Sequence, residues 1–320
     1  MIMVNRRAFL GGTVAAIAAA PLPRCLLDGE SVAGWKKHPS NPVIRAEHYG
    51  VCFDVAVIRD ESHFRMWLSW RPKRSIAYAE SADGIFWTPL VTVLEPIGPE
   101  IDVNRPTIIK HSGIYHMWFT GQTELRSWIS YATSVDGKSW RRMSTDPAMV
   151  PLLPWEKVAV MCPEVTWDDA SQQFRMWYSG GEQYEPDAIG YATSQDGLAW
   201  ARNAEPIFVP NPKEDWEKSR VTACSIRNVG DMHYMFYIGF EDVHRASIGI
   251  ARSRDGITGW VRHPQNPIIR RGSLLAWDRN AVYKPSPVLH NDRWLLWYNG
   301  RSRNVEQIGL AYHDGADLGF

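Results

Sequence analysis

The sequence predicts an all-β chain: a five-bladed β-propeller of four-stranded antiparallel blades. Three observations carry that reading. A Ser-x-Asp-Gly-x-x-Trp turn recurs roughly every 57 residues, the kind of fixed period that marks repeat architectures. An aromatic strand stands at a constant distance before each turn. One outer-strand motif, Trp35 to Ile44, occurs with no unit in front of it, while the last unit runs out of chain before reaching its own.

The chain has 320 residues, 35 basic against 35 acidic side chains, 16 Trp and 4 Cys. Apolar residues at 45% and charged residues at 22% suit a globular core. Zero net charge argues against a nucleic-acid partner, which needs a basic face. No run of about 18 apolar residues exists, so no helix spans a membrane. Four Cys in this length are not a disulfide scaffold.

Residues 1–20 read as an address. Asn5-Arg6-Arg7-Ala8-Phe9-Leu10 precedes an apolar stretch from Gly11 to Ala20, and Ala16-Ile17-Ala18 offers a cleavage site. The paired arginines resemble a twin-arginine export signal, which implies a periplasmic or secreted protein. Residues 21–34 form a linker and 35–320 the propeller.

Each unit opens with a β-branched strand: Val55 to Ile58, Pro106 to Ile109, Glu164 to Trp167, Ala223 to Ile226 and Ser286 to Leu289. An aromatic strand follows, beginning at Phe64, Tyr115, Phe174, His233 or Trp294. A third apolar strand leads into the turns at Ser81, Ser134, Ser194 and Ser253, with a degraded copy at His313 to Phe320. Asp-Gly is a turn signal because glycine tolerates positive φ. Trp35 to Ile44 then supplies the outer strand of the last blade and closes the ring, which removes an aggregation-prone edge. Nine of the sixteen Trp mark repeated stations and read as architecture. The triplets Trp155-Glu156-Lys157, Trp216-Glu217-Lys218 and Trp277-Asp278-Arg279 read as loop packing.

A functional site is expected where the five inner strands begin. Strand alternation pairs Asp54 with Ala56, Arg105 with Thr107, Cys162 with Glu164, Ala223 with Ser225 and Lys284 with Ser286 along the channel. Charges there need partners or solvent, so a polar funnel points to a ligand. Arg105, Lys284 and Arg220 would favour a substrate bearing carboxylate or phosphate. Loops on the same face add Arg71, Gln122, Glu182, Glu241 and Arg301. Cys52 and Cys162 also point toward the channel, from non-adjacent blades.

These features resemble the five-bladed glycoside hydrolases: the arabinanase and xylosidase family 43, the invertase and levanase family 32, and the mannoside phosphorylases of family 130. The Asn41 to Ile44 and Asn266 to Ile269 segments are most similar to the last. The resemblance implies a carbohydrate substrate, Asp54 as base or nucleophile, Glu164 as general acid facing it across the funnel, and Asp102 as an orienting group. The chain departs from the family pattern where Arg105 precedes Pro106 and where Met161 takes a usual acid position. Those departures raise the alternative of a non-catalytic glycan-binding propeller. A sialidase-like enzyme is a third reading, although its Asp-box places one residue between Asp and Gly. No cofactor is implied. Some family 43 relatives hold a channel metal ion such as calcium, but no Cys-x-x-Cys or His-Glu-x-x-His spacing occurs here.

Overall fold

The computed structural model describes residues 32–320. The expected signal segment 1–20 lies outside the described residues, as does most of the 21–34 linker.

Each turn is closed by its own side chains. In the first, the Ser81 hydroxyl accepts the Gly84 N–H at 2.8 Å. Asp83 Oδ1 accepts the N–H groups of Ile85 and Phe86 at 2.8 and 2.9 Å. Gly84 sits at φ 78°, where a Cβ would be strained. Asp136, Asp196 and Asp255 repeat the same double capping.

Those turns join antiparallel strands into sheets. A short strand β1 (Lys36–Lys37) and one helical turn, α1 (Ala46–Tyr49), come first. The first sheet holds β2 (Cys52–Asp60), β3 (His63–Trp70), β4 (Ser75–Ser81) and β5 (Val91–Leu94), paired in that order. The second unit is β6 (Asp102–His111), β7 (Ile114–Gln122), β8 (Ser127–Ser134) and β9 (Arg141–Arg142). The third is β10 (Ala159–Asp168), β11 (Gln173–Gly181), β12 (Pro186–Ser194) and β13 (Ala201–Arg202). The fourth is β14 (Arg220–Val229), β15 (Met232–Asp242), β16 (Arg245–Ser253) and β17 (Val261–Arg262). The last unit, β18 (Ala281–His290), β19 (Arg293–Ser302) and β20 (Val305–Asp314), takes its outer strand from β1, with Lys36 opposite Tyr312 and Lys37 opposite Ala311. The first strands touch in cyclic order, and β18 returns to β2.

The orphan segment docks as its repeat predicts. The Asn41 side chain donates to Leu310 O at 2.9 Å and accepts from Leu310 N–H at 2.7 Å. Asn266 makes the same pair with Ile250, at 3.0 and 2.9 Å. A side-chain amide thus stands in for a ladder residue at both places.

Tryptophan stitches neighbouring units together. The indole N–H groups of Trp67, Trp118 and Trp177 donate to the turn carbonyls of Gly137, Gly197 and Gly256 in the following unit, at 2.7–2.9 Å. Trp297 of the last unit donates to Gly84 of the first at 2.9 Å, across the closing seam. Where the following turn is degraded, the tryptophan is replaced by Phe236. Its ring meets Trp35 of the orphan segment edge-on at 5.9 Å. The core accordingly lies between sheets: Trp67 and Tyr78 pack on Met117 and Phe119, and Trp297 and Ile308 pack on Val57 and Leu68.

The Trp-acid-base triplets are packing devices, as expected. Their acids, Glu156, Glu217 and Asp278, are buried. Each accepts from a tyrosine hydroxyl of its unit's second strand: Tyr178 at 2.7 Å, Tyr237 at 2.8 Å and Tyr298 at 3.3 Å. Each also pairs with an outer-strand cation: Arg202 at 2.8 Å, Arg262 at 2.6 Å and Lys37 at 2.6 Å. The base beside the acid in sequence is not the one used. Trp155 lies so flat on Gly190 that a Cβ there would stand 2.6 Å from its ring, which accounts for glycine inside that strand. Among the described residues no helix is long and apolar enough to cross a membrane.

Candidate active site

The first strand of every unit carries the same irregularity. Pairing to the second strand slips by one residue after Phe53, Asn104, Met161, Thr222 and Tyr283. The residue following each slip, Asp54, Arg105, Cys162, Ala223 or Lys284, has φ between 43° and 53°. Bulges re-aim side chains and break alternation. A non-glycine residue in the left-handed region is costly, and such strain gathers at functional sites. Three seams brace the bulge from the preceding unit: hydroxyls of Ser69, Thr120 and Ser179 accept the N–H groups of Arg105, Cys162 and Ala223 at 2.8–3.1 Å.

The bulge splits the channel into two cavities. Asp54, Arg105, Cys162 and Ala223 line one of about 210 Å³ on the face where the strands begin. Ala56, Thr107, Glu164, Ser225 and Ser286 line another, of about 550 Å³, further along the same strands. Simple alternation had put both sets into one funnel, so the expected facing of Asp54 and Glu164 is corrected. Glu164 is instead held in the second cavity by Thr107 (3.2 Å), Ser225 (2.9 Å), the Ile226 N–H (3.1 Å) and Arg227 (2.9 Å). Lys284 also lines the second cavity and not the first.

Within the first cavity Asp54 is 4% exposed, and its Oδ2 lies 3.4 Å from Arg105 Nε without a hydrogen bond to any described residue. Arg105 spends its hydrogen bonds on Asn104 Oδ1 (2.8 Å) and Gln122 Oε1 (3.2 Å), so Gln122 supports the arginine from behind. Arg71 and Arg301 line the cavity too. Arg71 stacks over Phe53 at 4.4 Å and pairs with Asp102 at 3.1 Å. Burial pushes the Asp102 carboxyl up against the opposing pull of Arg71. Arg220 sits outside the lining and donates to the Glu185 carbonyl. Glu182 pairs with Lys157 at 2.9 Å and Glu241 with Arg245 at 2.9 Å, and neither lines the cavity.

Two carboxyls that the sequence reading passed over complete the site. Glu185, one residue before β12, and Glu306, on β20, both line the first cavity. Burial raises Glu185, opposed by Arg301, Arg105 and Arg220. Burial likewise raises Glu306, which accepts a 2.5 Å hydrogen bond from Tyr283 and also feels Asp54. The available signal was their place: both follow the second-to-third-strand loops already assigned to this face. Cys52, Cys162 and Cys224 are buried and free. Among the described residues no three His, Cys, Asp or Glu side chains gather to hold a metal ion, and three arginines line the cavity beside its carboxyls. The donor set does not fit a metal, and no step below uses one.

No protein-family model matches the chain. A stretch of 159 residues is 31% identical to the uncharacterized protein MT1551 of Mycobacterium tuberculosis (strain CDC 1551 / Oshkosh), covering 46% of this chain and 50% of that protein. The match therefore spans about half the length of that curated relative. Over 117 residues the chain is 30% identical to the β-1,2-mannobiose phosphorylase of Thermoanaerobacter sp. (strain X514), covering 31% of this chain and 36% of that one. A glycosyl hydrolase from Bacteroides ovatus superposes with a TM-score of 0.72 at 16% identity, covering 90% of this chain and 94% of that one. The chain thus shares the fold of the propeller glycoside hydrolases that its motifs resemble.

Proposed function

We propose that this protein is an exported enzyme that cleaves glycosidic bonds, with residues 35–320 forming a five-bladed propeller. One arrangement carries the reading. In a single small cavity Asp54 stands beside a guanidinium with an oxygen free of hydrogen bonds, while burial holds Glu185 and Glu306 protonated to higher pH than an ordinary glutamate. Glycoside cleavage needs that pairing of one ionised and one protonated carboxyl.

Glu185 is the general acid, because its carboxyl has no hydrogen-bond partner among the described residues whereas Glu306 is engaged by Tyr283. Its proton passes to the glycosidic oxygen as the bond from the anomeric carbon breaks. Asp54 acts as base on water or as nucleophile at that carbon. Asp102 orients Arg71. Substrate pockets usually run from about 300 Å³ upward, so about 210 Å³ admits a terminal sugar only. Three arginines in that space suit a sugar bearing a carboxylate.

A non-catalytic glycan-binding propeller is the second reading, favoured by the ion pair between Asp54 and Arg105. Incubation with a panel of plant and bacterial glycans, neutral and uronate-bearing, decides between them. Released sugar whose yield collapses in Asp54→Asn and Glu185→Gln supports the enzyme. Binding without release from any member supports the binder. N-terminal sequencing of the protein recovered outside the cytoplasm tests removal of residues 1–20.

A further inference from the structure

The second cavity contains a charge that no described residue balances. Lys284 is 2% exposed, among the most completely buried large side chains, and lines this cavity of about 550 Å³. No described residue gives it a hydrogen bond or an ion pair. An isolated buried ammonium is strongly disfavoured unless a counter-charge or hydrogen-bond acceptors meet it.

The surrounding groups do not supply that charge. Four cations line the cavity: Arg59, Lys110, Arg227 and Lys284. Lys110 pairs with Asp60 at 3.0 Å and Arg227 with Glu164 at 2.9 Å. Arg59 lies over the Phe64 ring at 5.1 Å and has no carboxylate in ion-pair contact among the described residues. Glu164, the carboxylate in the lining, is already paired with Arg227 and makes no hydrogen bond or ion pair with Lys284. Two positive charges are therefore left lining the same cavity. The Ser286 hydroxyl accepts the Val57 N–H at 2.8 Å, which leaves its own proton free to donate.

We propose that the second cavity is a binding site for a small oxyanion, held by Lys284 with Arg59 and the Ser286 hydroxyl. An oxyanion offers several acceptor oxygens to these separate donors, and the cavity has room for a polyatomic ion with its water. The site is separate from the Asp54 cavity and does not depend on what that cavity cleaves.

The test is thermal unfolding of the full chain at constant ionic strength, with chloride replaced stepwise by sulfate, by inorganic phosphate, or by acetate and citrate. Binding to the native state alone raises Tm in a saturable way, by a few degrees once the ion is well above its Kd. That rise is expected in the wild type and in Arg301→Ala, which weakens anion capture in the first cavity. It is expected to vanish in Lys284→Met, whose Tm without added oxyanion should match or exceed the wild type because a buried charge is gone. A response to phosphate and sulfate alone identifies an inorganic ion, and a response to the carboxylates identifies an organic acid. No saturable rise in the wild type, or a rise undiminished in Lys284→Met, overturns the proposal. If Lys284→Met does not fold, Lys284→Gln and the wild-type titration carry the same decision.

Discussion

Arg105 stands 3.4 Å from the Asp54 carboxylate yet gives it no hydrogen bond. The guanidinium is held instead by Asn104 and Gln122, so it balances the charge of Asp54 without blocking its oxygen. Asp54→Asn should cost about 100-fold or more in kcat, the usual scale for a group acting on protons or as nucleophile. Arg105→Met leaves the aspartate buried without its counter-charge and should reduce kcat more than it changes KM for a neutral substrate. Steady-state kinetics on the true substrate checks both. Activity of Asp54→Asn within tenfold of wild type would remove Asp54 from the mechanism.

The raised Glu185 sets the sign of a pH effect. Its protonated form persists above the ordinary glutamate range, so activity should fall as pH rises through the raised value. The native state also holds this proton more tightly than the unfolded chain does. Stability from this group is therefore full below the unfolded value and is lost as pH climbs toward the folded one. Glu185→Gln should abolish the alkaline limb of kcat and flatten that part of the stability curve. A pH-rate profile and urea melts at several pH values measure these two effects.

Arg301 lines the first cavity and donates to the His244 carbonyl at 3.0 Å, with no carboxylate in ion-pair contact among the described residues. It is the cavity arginine free to meet a substrate anion. Arg301→Ala should raise KM for uronate-bearing glycans by about tenfold or more, the scale of one charge-assisted pair, and leave neutral glycans nearly unchanged. Competition binding at low and high salt reads the same difference.

Ring closure combines backbone pairing of β1 with β20 and side-chain bonds that can be removed singly. Asn41→Ala deletes both bonds to Leu310 and should cost about 1–3 kcal/mol. In a domain of this size that lowers Tm by several degrees. Asn266→Ala, its counterpart on Ile250, should cost a similar amount, and calorimetry compares the two. A negligible effect at Asn41 alongside a large one at Asn266 would mean that the N-terminal segment contributes little to closure.

Much of the fold was legible because its signals are local and repeated. Asp83 caps its own turn, Asn41 reads like Asn266, and Trp67, Trp118, Trp177 and Trp297 recur at one station because each reaches the next turn. Phe236, which breaks the tryptophan series, meets Trp35 of the orphan segment instead. Asp54, Arg105, Arg71 and Arg301 were likewise found from the ends of strands and loops.

The chemistry of the site was settled by contacts no single strand encodes. The bulge after Phe53 and its four counterparts consumes one extra residue, so Asp54 and its equivalent Cys162 open on one cavity while Ala56 and its equivalent Glu164 open on the other, although alternation alone would aim all four into one channel. Glu185 and Glu306 gain their raised pKa values from burial in the assembled channel, and Lys284 is buried there without a hydrogen bond or ion pair to any described residue. Sequence alone determined the repeated strands, their turns and the strand that closes the ring, since each depends on neighbours a few residues away or one repeat apart. Only the tertiary structure decided which charges share a cavity, because that depends on how the bulged strands of five units converge on one channel.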